Sequence, residues 1–333
     1  MEVDKPTDGQ NLRSILKRSA LAATKTCGVF AVMRRALRKR LLVLCYHSVI
    51  SDDSPQDPRT IIAVATQQFE SQLQILRDYW KPISLAELDA AIQVASELPD
   101  YSVLVTFDDG FRNNIMHAAP LLGKHGIPAI VFLTTGLIGT TDMLWSQEVA
   151  ERQRHQDVLP EHVQLPGRRL LPLSELKRLP DAERLVYLND LRTISGLMID
   201  SDWQRELYTL MDWDEVRQLR SFGVEVGAHT VSHPVLASLT TDEVRRELSA
   251  SKTKIEQETG SPCFAIAYPY GGGADFTAAV MEECRKLGFR IGFNLIGRRN
   301  PPLREMNPLS INRVCVTRDV SLIEFERMLC LSR

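Results

Sequence analysis

Cysteine is scarce in this sequence and never closely paired, with six residues in 333 and no CxxC. That argues against a zinc–cysteine site or a disulfide framework. Cys45, Cys263 and Cys315 sit in or beside apolar runs, where a free thiol packs as a small hydrophobe. No apolar run approaches the roughly 20 residues that a bilayer requires. Neither sign of charge dominates, with 40 basic residues against 42 acidic ones, so no nucleic-acid partner is expected. A secretion signal is not evident, because the weakly apolar stretch Ser19 to Met33 starts late and is broken by Lys25. Cytoplasmic residence, or the inner membrane face, is the expectation.

The chain does have ample material for a core, being 44% hydrophobic and 25% charged. Its balanced charge hides a basic leader over residues 1–40. Between Asn11 and Arg40 there are nine Lys or Arg residues and no Asp or Glu. Such a leader helix suits peripheral contact with a membrane or partner, and equally a solvated entry into the domain at 41–333.

LLVLCYHSV (Leu41 to Val49) reads as a buried strand, and Ser51 to Arg59 as a loop. FESQLQILRDYW and SLAELDAAIQVA have helical spacing, the second with Ser84 as N-cap. SVLVTF (Ser102 to Phe107) is a strand ending at Asp108-Asp109-Gly110, and a helix from about Asn113 to His125 closes at Gly126 and Pro128. AIVFLTT is a further strand. From about 139 to 219 polar helical patterns and prolines at 160, 166, 172 and 180 mark a helical insertion. Strand–helix alternation resumes with VEVGAHT, CFAIAYPYG and RIGFNL, and INRVCVT is read as one last strand. About six or seven strands alternating with helices imply parallel βαβ units, in a barrel or an open sheet. Either architecture places its site at the carboxyl ends of strands.

Three clusters carry chemistry. In TFDDG (Thr106 to Gly110) two adjacent carboxylates repel unless a metal takes one and leaves the other as a base; otherwise Asp109-Gly110 is only a turn. In HTVSH, His229 and His233 project together if the segment makes one helical turn. Two imidazoles and a carboxylate leave an open position for water, as catalytic zinc sites do, whereas a histidine pair alone is more often structural. In AYPYGGG (Ala267 to Gly273) a rigid proline–glycine loop can offer a backbone N–H to an oxyanion, or be an ordinary turn.

TFDDG, HTVSH and PYG in this order resemble the polysaccharide deacetylase family (the NodB-homology domain, carbohydrate esterase family 4), over about Leu41 to Thr317. The resemblance implies an α/β fold, a distorted (β/α)7-type barrel, here carrying the helical insertion. It implies Zn2+ or a similar divalent ion held by Asp109, His229 and His233, with Asp108 as general base. It also implies Tyr270 as oxyanion donor through its N–H, and Thr230 as support for the histidine loop. The implied reaction is hydrolysis of N-acetyl groups on a glycan. The same scaffold would also admit another amide or ester substrate. A non-catalytic glycan-binding role is disfavoured by the intact motifs.

Two departures from the family pattern stand out. Many members carry a general-acid histidine in a late Leu-x-His motif, but no histidine follows His233. His47 in Tyr-His-x-Val resembles the N-terminal motif of exopolysaccharide deacetylases and is the replacement candidate; the bland reading is a histidine at a strand end. Ala267 stands where many members have an arginine steadying the base. Arg313 is placed to supply that charge, or to form an ion pair for stability alone. His117, His125, His155 and His162 are read as surface residues. Trp145 and Trp213, flanking the insertion, are read as packing residues rather than sugar platforms.

Overall fold

The computed structural model describes residues 29–55, 57–154, 171–194, 199 and 201–331. Residues 1–28 of the leader lie outside the described residues, as do His155, Pro160, His162 and Pro166 of the insertion.

The strands are β1 (Leu42–Tyr46), β2 (Ser48–Ile50), β3 (Ala63–Ala65), β4 (Lys81–Pro82), β5 (Ser102–Phe107) and β6 (Ala129–Leu133). They continue with β7 (Val224–Ala228), β8 (Ala265–Ala267), β9 (Ile291–Asn294), β10 (Ile311–Asn312) and β11 (Val314–Cys315). One sheet runs β10-β9-β8-β7-β6-β5-β1-β11, with β4 beside the start of β5, while β2 and β3 pair separately. Every named strand pairing is parallel. Helices between the strands cover the outer face, as parallel strands buried on both sides require.

The two ends of the sheet, β10 and β11, are consecutive pieces of one segment separated only by Arg313. The chain leaves β9 and joins β1 within that step, which draws the sheet into a nearly closed barrel. INRVCVT is therefore two short strands rather than one. The distorted barrel expected from the family resemblance is the fold.

Alternation along the strands decides which residues reach the interior. Leu42, Leu44, Val103, Val105 and Phe107 pack outward against the helices in the larger core. Val43, Leu104, Ile130, Phe132, Ala265, Phe293 and Ile311 form a second, interior core. Burying each large apolar side chain contributes about 1.5–3 kcal/mol. The interior columns change character toward the carboxyl ends: Val43 leads to Cys45 and His47, Leu104 to Thr106 and Asp108, and Ile311 to Arg313. Apolar residues close the bottom of the barrel, and polar residues in the same columns occupy its top.

Ser84 caps the helix Leu85–Gln93 in a full capping box, as expected. The helical run after TFDDG includes a π segment, Asn114–Ala118, before the α-helix Ala119–His125. There Ala119 N–H reaches Asn114 O, five residues back, and Pro120 has no N–H to offer. Within the expected insertion the described segments are helical: Trp145–Arg154, Leu173–Leu176, Asp181–Ile194, Asp202–Tyr208 and Trp213–Gln218.

The described part of the leader contains the helix Val29–Ala36, which buries Phe30 and is followed by buried Leu37. Its basic residues meet the domain itself. Arg34 lies over the Tyr79 ring, Arg38 pairs with Asp100, and Lys39 pairs with Glu97. No helix among the described residues is long and apolar enough to cross a membrane.

Candidate functional site

Asp109, His229 and His233 come together at the top of the barrel, all buried. His229 Nε2 lies 3.5 Å and His233 Nε2 3.4 Å from Asp109 Oδ1. Two ligands on one ion, at bonds of about 2.1 Å and a tetrahedral angle, sit roughly 3.4 Å apart. Asp109 Oδ1 is buried with no hydrogen-bond partner among the described residues, which a cation would resolve. The His229 Nδ1–H donates to the Ala267 carbonyl at 2.8 Å. That bond leaves the Nε2 lone pair bare toward Asp109. Burial lowers the His233 ring to about 3, so it stays neutral and can act as a ligand. The Asp109 carboxyl is also lowered: burial opposes this, and the positive charge of the His47 ring is among the influences that outweigh it. The donor set therefore fits a divalent ion.

The two histidines converge without the helical turn that was the stated condition for their meeting. The segment 229–233 is an irregular loop in which Thr230 (φ 67°) and His233 (φ 59°) are left-handed. Thr230 Oγ1 accepts the His233 N–H at 3.1 Å, fixing the turn as its motif position implied. Glu247, on the helix Thr241–Thr259, accepts from Val231 N–H at 2.7 Å and Ser232 N–H at 3.0 Å. Trp145 closes the loop from the other side, its indole N–H donating to His233 O at 3.0 Å. Trp145 is thus a buried residue with a specific polar contact, which sequence reasoning took for packing alone. Asp109 (φ 74°) and Tyr270 (φ 61°) are left-handed too, so four of the six non-glycine residues with positive φ among the described residues cluster here. Such strain gathers where function fixes the backbone.

Asp108 points to the same region from the end of β5. Arg313, fully buried at the barrel seam, grips its Oδ1 and Oδ2 at 2.7 Å each. The same guanidinium reaches Thr106 Oγ1 at 3.2 Å and Asn294 O at 3.1 Å. Burial would raise the Asp108 carboxyl, but the Arg313 charge wins and holds it far below the usual carboxylate range. Asp108 is therefore ionised, oriented and too tightly held by Arg313 to swing away.

His47 follows β1 and is half-buried, its backbone carbonyl fixed by Asn114 Nδ2 at 2.8 Å. Burial alone would lower its ring; the hydrogen bond to Cys315 and the charges of Asp109 and Asp108 outweigh it and lift the ring to about 9. An ion on Asp109 would take back part of that lift. The ring Nδ1 is buried without a partner among the described residues.

Tyr270 packs edge-on against His233, with ring centroids 4.7 Å apart. Its N–H makes no hydrogen bond among the described residues. Lys177, from the insertion, lies 3.8 Å from the Tyr270 ring centroid. Away from the site, His117 pairs with Glu206 at 2.6 Å. The His125 side chain is largely buried against Glu70, contrary to its surface reading. Trp213 carries Lys254 over its ring.

Cys45 is the residue the sequence reading missed. Its thiol donates to Asp108 Oδ2 at 3.4 Å, and it pairs in register with Cys315 across β1 and β11. Its place two residues before His47, in one inward column, was the available signal.

Comparison with known proteins follows the same lines. YxkH of Bacillus subtilis strain 168, assigned to the polysaccharide deacetylases, is 26% identical over 151 residues, 44% of this chain. That match spans about half of YxkH, 51% of its length. Among solved structures, the Streptococcus pyogenes deacetylase PplD in complex with acetate has a TM-score of 0.59 at 17% identity, covering 88% of this chain and 99% of that one. IcaB from Ammonifex degensii has a TM-score of 0.59 at 22% identity, covering 88% and 97%. The polysaccharide deacetylase family model matches residues 95–292, more than half of the 333 residues and the stretch holding all three motifs, and the protein belongs to that family.

Proposed function

We propose that the protein is a metal-dependent hydrolase that removes N-acetyl groups from amino-sugar residues of a polysaccharide or lipid-linked glycan. The observation that carries this reading is the pairing of two unlike carboxylates. Asp109 shares its position with two imidazoles, while Asp108, its neighbour, is held ionised by Arg313.

A divalent ion on Asp109, His229 and His233, with Zn2+ the natural choice for this donor set, would lower the pKa of a water and polarise the acetyl carbonyl. Asp108 is the base that takes the water proton, and Arg313 keeps it in place and charged. The free Tyr270 N–H is offered to the carbonyl oxygen as negative charge develops on it. An amine leaves poorly unless protonated, and His47 is the acid: the lift on its ring keeps a proton available near neutrality. That acid comes from the start of the chain, which agrees with an exopolysaccharide-type deacetylase. IcaB shares the fold. Acetate, the expected product, is bound in the PplD structure. A precursor at the inner face of the membrane or in the cytoplasm is the substrate location we favour, from Arg13, Lys17, Arg18 and Lys25, which precede the basic residues that meet the domain.

The test is acetate release from chitooligosaccharides and poly-N-acetylglucosamine, with and without chelator, beside a panel of simple amides and esters. Release from an amino sugar that stops with chelator and returns with Zn2+ is expected. Release only from non-sugar substrates, or undiminished by chelator, would overturn the proposal.

A further inference from the structure

Beside the Asp109 centre lies a second cluster of donors with a different chemistry. Cys45 Sγ, a His47 ring nitrogen and an Asp108 oxygen all lie within 4.8 Å of one another. The β1–β11 register sets Cys315 beside Cys45, on the same face of the sheet. Three observations separate these groups from ordinary buried cysteines. His47 Nδ1 is buried with no partner among the described residues. Asp108 is already satisfied by the guanidinium of Arg313, so it is not free to serve as a ligand. Cys315 and His47 are partly exposed, whereas Cys45 is sealed beneath them, which leaves a way in from the top of the barrel.

We propose that Cys45, Cys315 and His47 form a second metal site, selective for thiophilic ions such as Zn2+ in excess, Cd2+ or Cu+. Two thiolates and a neutral imidazole balance a dication, and sulfur donors prefer soft ions over the harder ions that carboxylates accept. A thiolate rather than a thiol binds the ion, so the Cys315 proton leaves to solvent as the ion arrives. Binding displaces the Cys45 proton from Asp108 to solvent and occupies the His47 ring. On the function proposed above, an ion here is inhibitory because it takes the general acid, and that consequence alone rests on that reading.

The test uses the full-length protein loaded with one equivalent of Zn2+ and titrated with Cd2+, following the thiolate-to-cadmium charge-transfer absorption. A second equivalent that brings in this band is expected. Cys315→Ser should weaken it roughly 100-fold or more, since loss of even a supporting contact costs about 10–100-fold. His229→Ala should keep the band, because its donors are elsewhere. Cd2+ should also shield Cys315 of the wild-type protein from alkylation by iodoacetamide, a readout that needs no variant to fold. Absence of the band and the shielding in wild type, or a band undiminished in Cys315→Ser, overturns the second site. Neither result bears on acetate release by the protein holding one Zn2+, so the two proposals fail separately.

Discussion

Replacing Arg313 with methionine should remove the charge that the barrel seam places on Asp108 while keeping much of the side chain's volume. The wild-type pair is buried on both sides, with two bonds of 2.7 Å. Truncating one partner of such a pair leaves a buried carboxylate uncompensated, at about 3–5 kcal/mol. An unfolding entropy of about 2.1 cal/mol/K per residue gives roughly 0.7 kcal/mol/K for a chain of this size, so Tm should fall by about 4–7 °C. The sign with pH is also fixed. In the wild type the folded Asp108 lies below its unfolded value of about 3.9, so the pair's stabilisation is present above that value and lost as pH falls through the folded one. In Arg313→Met burial raises the carboxyl instead, and the deficit grows as pH rises through the new value. The difference between the proteins should therefore widen from pH 4 to pH 7. Thermal melts of chelator-stripped protein, with Asp108→Asn and the double variant, measure it. The double variant should recover more than half of the Arg313→Met loss. A Tm change within about 1 °C, or a double variant showing the plain sum of the single losses, would refute the reasoning.

The remaining predictions are more local. Trp145→Phe deletes the N–H that holds His233 O and should weaken the ion's affinity about tenfold by chelator competition, with little change in the fold. His47→Ala should lower turnover about 10²–10⁴-fold with metal content unchanged; loss of the metal, or normal turnover, would count against its role as acid. In Gly227→Ala the new Cβ meets the Phe132 ring at 2.5 Å, so urea unfolding should show a loss of about 1–3 kcal/mol. Asp57, lowered to about 2 chiefly by its hydrogen bond with Arg59, stabilises the fold above its unfolded value and loses that effect as pH falls toward 2. The stability gap between wild type and Asp57→Asn should thus shrink from pH 6 to pH 3, and a constant gap would show that the pair has no linkage.

Much of the barrel was legible because parallel strands buried on both faces appear as short apolar runs, and their ends were marked by Asp108, His229 and the proline–glycine loop. The meeting of residues 47, 108 and 313 was harder to read. It depends on barrel closure, a long-range event that no local spacing encodes, and it surfaced only as two departures from the family pattern. INRVCVT was read as one strand because its apolar spacing runs through Arg313; the break comes from a guanidinium that must reach Asp108. The shape of the histidine loop was hidden for a related reason. Left-handed residues are expected to be glycine, and here they are threonine and histidine, held by Glu247 and Trp145 from distant parts of the chain. Cys45 and Cys315 passed as hydrophobes because burial alone does not say what a thiol touches.

The left-handed residues at the centre have a consequence for anyone who evolves this protein in the laboratory. Each non-glycine residue in that conformation holds about 1 kcal/mol or more of backbone strain. Selection for heat resistance alone would favour glycine at Asp109, Thr230, His233 and Tyr270, the conformation's natural occupant. Hardened clones obtained that way would keep the barrel and lose the chemistry, so a thermal screen needs an activity screen beside it at every round.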